Sequence, residues 1–187
     1  MNREKALDLL KENLKNKNLV KHCFAVESAM RKLAKHFKEG EEDKEKWGIC
    51  GLLHDIDYEK TKGDVKLHSK VGSEMLKDLG LDEEICQAVL THNEAHGIEP
   101  QSLMAKALYC IDPLTGLIVA ATLVLPEPKI KDLKVENILK RFKEKAFARG
   151  ANREIIAKCQ ELLNLSLEDF IKIVLLAMQD INEELEL

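Results

Sequence analysis

The chain has 187 residues, with 29 basic and 33 acidic side chains and a formal net charge of −4. A hydrophobic share of 45% with only nine glycines and four prolines excludes a disordered, fibrous or linker-like polypeptide, and the near-neutral balance leaves no basic footprint for duplex nucleic acid. Aromatic residues at 4%, set against plentiful Leu, Ala, Lys and Glu, favour helix over sheet in one domain spanning 1–187.

From the N-terminus onward, hydrophobic periodicity predicts an all-α fold with helices over 2–16, 19–39, 43–56, 66–79, 82–94, 101–124, 133–148, 152–163 and 167–186. The opening Met1-Asn2-Arg3-Glu4-Lys5-Ala6-Leu7 reads as charged helix rather than a signal peptide. Gly40 and Gly80 are expected as left-handed C-terminal caps. Asp43, Asp82, Asn152 and Ser166 are expected as N-caps, the last with Asp169 in a variant capping box. Asp112-Pro113 is expected to kink or restart the long 101–124 helix. Pro126-Glu127-Pro128 is a firm break, so 129–187 should form a C-terminal helical extension packed on the rest. The longest apolar run, Leu117 to Leu125 broken by Thr122, is about half of what a bilayer span needs and predicts a buried helix. Cys23, Cys50, Cys86, Cys110 and Cys159 are widely spaced, odd in number and without a Cys-x-x-Cys pair, which predicts reduced thiols in a cytoplasmic protein.

Several ionisable side chains fall on stripes that should be buried. His22 lies one turn before Val26 on the Val26, Met30, Leu33, Phe37 stripe, and His54 follows Trp47 and Cys50, with Asp55 beside it. His68 shares a stripe with Val71, Met75 and Leu79; His92 follows Ile85, Ala88 and Val89; Asp112 follows Met104 and Leu108. Six groups on five predicted helices are thus expected to face the interior. Any one alone reads as a hydrogen-bonded core histidine or a helix-end acid. Two buried carboxylates together need cations, metals or strong donors, and a mixed His/Asp set suits a divalent transition metal.

At Leu52-Leu53-His54-Asp55-Ile56-Asp57 the sequence resembles the HD superfamily of metal-dependent phosphohydrolases. The His54-Asp55 doublet has an upstream helical histidine, His22, and a later aspartate, Asp112, at the end of Ala105-Lys106-Ala107-Leu108-Tyr109-Cys110-Ile111-Asp112. Between them, His68 in His68-Ser69-Lys70-Val71-Gly72 and His92 in Leu90-Thr91-His92-Asn93 match the extra histidines of two-metal members. The resemblance covers about residues 19–125, the expected HD core. It implies a helical bundle with His22, His54, Asp55 and Asp112 around one metal. It also allows His68 and His92 to take a second, with Asp55 bridging, as in the HD-type diadenosine tetraphosphate hydrolases. Mn, Fe, Co, Ni or Zn suit such donors, and Mg suits them less because it prefers oxygen.

The implied activity is metal-dependent phosphohydrolysis of a nucleotide or small phosphate ester, with Asp55 and Asp57 as the catalytic acids. Asp57 would orient water or a ligand histidine, unless it is a solvated helix-end acid. The alternatives are a non-catalytic regulatory module that binds metal or nucleotide, and a helical domain whose histidines are purely structural. The expected partner is a small phosphorylated substrate, with a homodimer left open and neither duplex nucleic acid nor membrane.

Some residues depart from the family's pattern. Many relatives carry Lys or His three residues after the doublet's Asp, where this chain has Tyr58, leaving Lys60, Lys62, Lys66 and Lys70 as candidates for phosphate contact. His92 and His96 have the spacing of a zinc helix, but Gly97 follows and no Glu adjoins His92, so His96 is expected at the rim. His36 reads as a helix C-terminal cation. The basic run Lys140, Arg141, Lys143, Lys145 and Arg149 reads as an amphipathic helix with Ile138, Leu139, Phe142 and Ala146 inward. Its rival reading places Arg141 and Lys145, one turn apart, on a substrate phosphate.

Overall fold

In chain order the helices are α1 (Arg3–Asn13), α2 (Lys17–His36), α3 (Glu41–Leu53), α4 (Lys70–Asp78), α5 (Glu83–Thr91), α6 (Leu103–Leu123), α7 (Val135–Lys143), α8 (Arg153–Ala157), α9 (Cys159–Leu162), α10 (Leu167–Asp180) and α11 (Asn182–Leu185). The computed structural model describes residues 1–38, 40–62 and 64–187, and among these none is a strand. The expected helix end at Glu39 lies outside the described residues. Polar side chains set most of the starts. Asn2, Asn16, Asp82, Ser102, Asn152 and Ser166 each accept from a first-turn N–H that has no partner within its helix. Ser166 also donates its hydroxyl to Asp169, completing the expected capping variant.

The helix ends differ from expectation in ways that matter for the site. Gly80 is left-handed as predicted, but Gly40 is extended and precedes α3, and Lys38 (φ 62°) takes the left-handed position instead. Asp43 lies inside the first turn of α3, where its charge meets the positive helix end, and is not the N-cap. The 66–79 helix begins only at Lys70, after turns over 65–69. The 133–148 helix stops at Lys143, and 152–163 and 167–186 each divide in two. α6 runs through Pro113 without a restart.

α2 is the central element, packed against α3, α6, α10 and α11. Its approach to α3 is close because residue 51 is glycine. A Cβ there would lie 2.9 Å from the Val26 carbonyl oxygen and from Met30 Cγ, well inside contact distance. That approach carries the residues just after α3 toward His22 on α2. Glu27, buried on α2, is held by a bidentate Arg3 (2.7 and 3.0 Å) and by Arg31 (3.0 Å), so its charge is paired. α4 packs on α5, α5 on α6, and α7 to α10 cover α6 and α2. Met30, Leu33, Leu52, Leu53, Leu108, Ile111 and Phe170 are wholly buried between these layers, and all five cysteines are buried and unpaired. By length and composition alone α6 would cross a bilayer, but most of it is buried by neighbouring helices.

Candidate metal centre

The six residues singled out from the sequence come together, mostly at helix ends rather than within helices. His22 is on α2 and Asp112 on α6, while His54 and His92 are the C-terminal caps of α3 and α5. Asp55 follows His54, and His68 sits in the turns before α4, so its expected stripe with Val71, Met75 and Leu79 does not form; Gly72, Ser73 and Leu76 are buried there instead.

Each imidazole has one nitrogen tied outward. Nδ1 of His54 donates to the Gly51 carbonyl (2.8 Å), that of His92 to the Val89 carbonyl (2.6 Å), and that of His68 to the Asp57 carboxylate (2.9 Å). Thr115 donates its hydroxyl to the Asp112 carbonyl (2.9 Å), so it accepts from Nδ1 of His22 (3.2 Å). All four Nε2 atoms therefore point inward. They lie 3.3 to 3.7 Å from Asp55: His68 at 3.3 Å, His54 and His92 at 3.5 Å, His22 at 3.7 Å. His22 Nε2 is also 3.0 Å from Asp112 Oδ1, and His54 Nε2 is 3.7 Å from it.

This donor set fits a cation. Nε2 of His22 and of His54 are 3.2 Å apart. With both Nδ1 atoms protonated, the two lone pairs face each other and need a positive centre between or beside them. Among the described residues three overlapping groups have donor atoms within 4.8 Å of one another: His22, His54 and Asp55; His54, His92 and Asp112; Asp55, His68 and His92. Outward hydrogen bonds that fix the tautomer and free Nε2 are the usual support of metal-binding histidines.

Without a metal, protons supply the positive charge. Burial alone would lower the His54 pKa, but the Asp55 charge and the bonds to Asp112 and Gly51 overcome it and raise it to about 9. His68 is likewise raised, to about 10, against the cost of burial by Asp55 and Asp57. Burial would raise both aspartates, yet the charge on His54 and the bonds from His68 and His92 pull Asp55 well below the carboxylate range. His22 and His54 do the same for Asp112. A folded imidazole pKa above its unfolded value of about 6.5 stabilises the metal-free fold fully below pH 6.5. That stabilisation is lost as pH rises through 9 to 10. The same protons compete with metal. Mn2+ affinity is expected to rise with pH between 6.5 and 9, by up to roughly tenfold per unit for each proton displaced. Calorimetry in two buffers of different ionisation enthalpy reads the released protons directly.

Asp57 does not face the cluster. It is wholly buried, with one oxygen on His68 Nδ1 and the other accepting from the Ser69 and Gly72 amides (both 2.8 Å), capping α4 in place of Ser69's own side chain. It is neither solvated nor placed to orient water; it acts on His68. Lys60, Lys62, Lys66 and Lys70 are exposed and line none of the cavities that open on the cluster. Arg141 and Lys145 are not a turn apart on one helix, because α7 ends at Lys143. Arg141 pairs with Glu144 (2.7 Å) and lies 4.8 Å above the Phe147 ring, while Lys145 and Ala146 are exposed.

The cavities have other walls. One of about 160 Å³ lies beside His68, His92 and Asp112, with Tyr109 and Asn152 opposite; another of about 340 Å³ lies beside His22 and Asp112 and is roofed by Ala148, Gly150 and Ala151. The C-terminal segment 147–152 thus contributes backbone and small side chains in place of the expected cations. Arg153 holds this loop by donating to the carbonyls of Phe147, Ala148 and Ala151, and Asn152 donates to Glu94 (3.0 Å).

His96 proves more than a rim residue. Its Nε2 donates to the His68 carbonyl (2.8 Å) and to Ser69 Oγ (2.9 Å), whose own proton goes to the Leu90 carbonyl. Asn93 donates to the His68 and Val65 carbonyls. These bonds hold Ser69 in a left-handed conformation (φ 68°) that costs a non-glycine residue about 1–2 kcal/mol. His96→Ala is expected to weaken metal binding by about tenfold, as loss of such supporting bonds does elsewhere. His96→Gln, which keeps a donor, should lose less, and Mn2+ titration distinguishes the two.

A helical bundle whose four imidazoles and two carboxylates converge on one point belongs to a class of helical proteins with a site that could hold a divalent metal. The HD domain profile matches residues 19–117, and the chain belongs to that family, whose superfamily is one of metal-dependent phosphohydrolases. The uncharacterized protein MJ0778 of Methanocaldococcus jannaschii is 32% identical over 174 residues, 90% of this chain and 98% of that one. Ribonuclease Y of Thermotoga petrophila and that of Thermotoga maritima are each 35% identical over 109 residues, 56% of this chain but only 21% of either ribonuclease. No solved structure is a significant match.

Proposed function

We propose that the chain is a metal-dependent hydrolase of a small phosphate ester or nucleotide. The observation that carries this reading is the inward convergence of four Nε2 atoms on Asp55, each ring fixed from behind by an oxygen. His22, His54, Asp55 and Asp112 would hold one ion, and His68 and His92 with Asp55 a second. Mn, Fe, Co, Ni and Zn suit this donor set better than Mg. When bound, a divalent ion supplies Lewis acidity, making water nucleophilic near neutral pH and polarising the phosphoryl oxygen. The chain's own contribution is position and charge. Asp55 and Asp112 balance the positive charge, Asp57 orients His68, and the 147–152 loop with Pro113 shapes a small opening that admits a phosphate group.

Elemental analysis of the purified chain, with a phosphate-release screen over nucleotides and simple phosphomonoesters under each metal, tests the reading. Bound metal and turnover that Asp55→Ala removes support it. A chain without metal, or with metal and tight nucleotide binding but no turnover, overturns it; the second result would make this a regulatory module.

A further inference from the structure

A third cavity, of about 420 Å³, lies between α2 and α6 and is closed at one side by α11. Its inner end is His22 and Thr115, and it runs outward over Gly116 to Val119 and Leu123. His22 and Gly116 also line the 340 Å³ cavity beside Asp112, so the two spaces adjoin at these residues, next to the candidate metal centre.

Gly116 is the informative residue. It lies in the middle of α6, where glycine weakens a helix relative to alanine. Nothing packs against it: a Cβ built there meets no atom within 4 Å. Its φ is not in the left-handed range, so neither backbone conformation nor close packing calls for glycine. What its missing side chain leaves is open space at the junction of the two cavities. The groove beyond is apolar along Ala25, Val119 and Leu123, and Leu123 is 59% exposed. Lys21, the one lysine among the described residues that line it, is already paired with Glu186 at 2.6 Å. Among the described residues that line it, the groove thus offers apolar contact with Asn18 and Glu186 at its edge, and no unpaired lysine or arginine to a second phosphate.

We propose that this groove, entered over Gly116, is the subsite for the organic part of the substrate, and that this part is an uncharged alkyl or aryl group. The proposal rests on the phosphohydrolase reading only for the position of the phosphate, next to His22 and Asp112. From Gly116 to Leu123 the helix rises roughly 10 Å, enough for a group of several carbons.

Binding of phosphonates, which are not hydrolysed, tests it apart from turnover. Calorimetric titration of the Mn2+-loaded chain with methylphosphonate and hexylphosphonate is expected to show the hexyl compound bound about tenfold to a hundredfold more tightly, from the apolar area it buries. Gly116→Leu, whose Cβ meets no atom within 4 Å and whose side chain would occupy the junction, should reduce that advantage to less than about threefold. Leu123→Glu, at an exposed position, should reduce it as well. Equal binding of the two phosphonates by the wild-type chain, or an undiminished hexyl advantage in both variants, overturns the subsite. Hexyl preference without hydrolysis of any ester leaves the subsite standing and removes the hydrolase reading. Hydrolysis without hexyl preference does the reverse, and no binding by either phosphonate overturns both.

Discussion

Asp55→Ala is expected to strip most of the bound metal and to lower phosphate release by about a thousandfold or more, the scale of a lost metal-activated nucleophile. The reason is geometric. Among the described residues Asp55 is the one carboxylate within 3.7 Å of all four imidazole Nε2 atoms, its Oδ1 serving His54, His68 and His92 and its Oδ2 serving His22. Two of the three donor groups that could hold an ion contain it. Without it, four inward nitrogens face a cavity with only Asp112 to balance a dication. The metal-free state changes too, since the Asp55 charge is the main influence raising His54. The His54 proton is then released at lower pH, and the alkaline loss of stability moves toward neutrality. Asp55→Asn separates charge from shape: it keeps an oxygen at nearly the same place but should still lose metal. Elemental analysis, phosphate release and the Mn2+-induced rise in melting temperature should all fall together. A variant that keeps its metal and turnover would sink the assignment.

The residues of the cluster were legible in the sequence, while the elements carrying them were less so. Some helix starts followed from local chemistry, and Asp82, Asn152 and Ser166 cap as their types imply, though Asp43 does not. Other boundaries depended on distant partners. The turns before α4 are held by Asp57 from one side and by His96 and Asn93 from the other, so periodicity extended that helix four residues too far. Lys-rich 140–149 has the pattern of a continuous helix, yet the chain leaves it at Glu144 and takes a left-handed turn at Ala148 (φ 42°), where Arg153 collects the loop's carbonyls. A charge strip on paper is in space a wall of small residues beside the site. Gly97 after His96 and the lack of a Glu beside His92 argue against a helical zinc pair, but they are silent about a side chain reaching back to residue 68. Thr115, the support for His22, had no signal beyond lying three residues after Asp112.

Asp57→Ala is expected to destabilise the fold by about 3–5 kcal/mol, the range for breaking a buried, hydrogen-bonded charged pair from one side. The carboxylate is wholly buried and is the acceptor for three donors: His68 Nδ1 and the amides of Ser69 and Gly72. Removing it leaves a buried imidazole N–H and two helix-start amides unsatisfied, each costing about 1–3 kcal/mol unless water enters. The closeness of Gly72, whose Cβ would lie 3.2 Å from the Asp57 carboxyl carbon, shows how tightly α4 is drawn onto it. Loss of the tie should also free the strained backbone at Ser69 and turn His68 away from Asp55. Two measurements separate this from an ordinary core defect. Urea unfolding gives the stability loss, and amide hydrogen exchange should accelerate first at Ser69 and Gly72, ahead of α2 and α6. Asp57→Asn, which retains one oxygen for the amides, should recover part of the stability but less of the metal affinity, because His68 loses its charged partner. A loss below about 1 kcal/mol for Asp57→Ala, within the range of a neutral hydrogen bond, would show that the Asp57 carboxylate is not what holds His68 and the start of α4 in place.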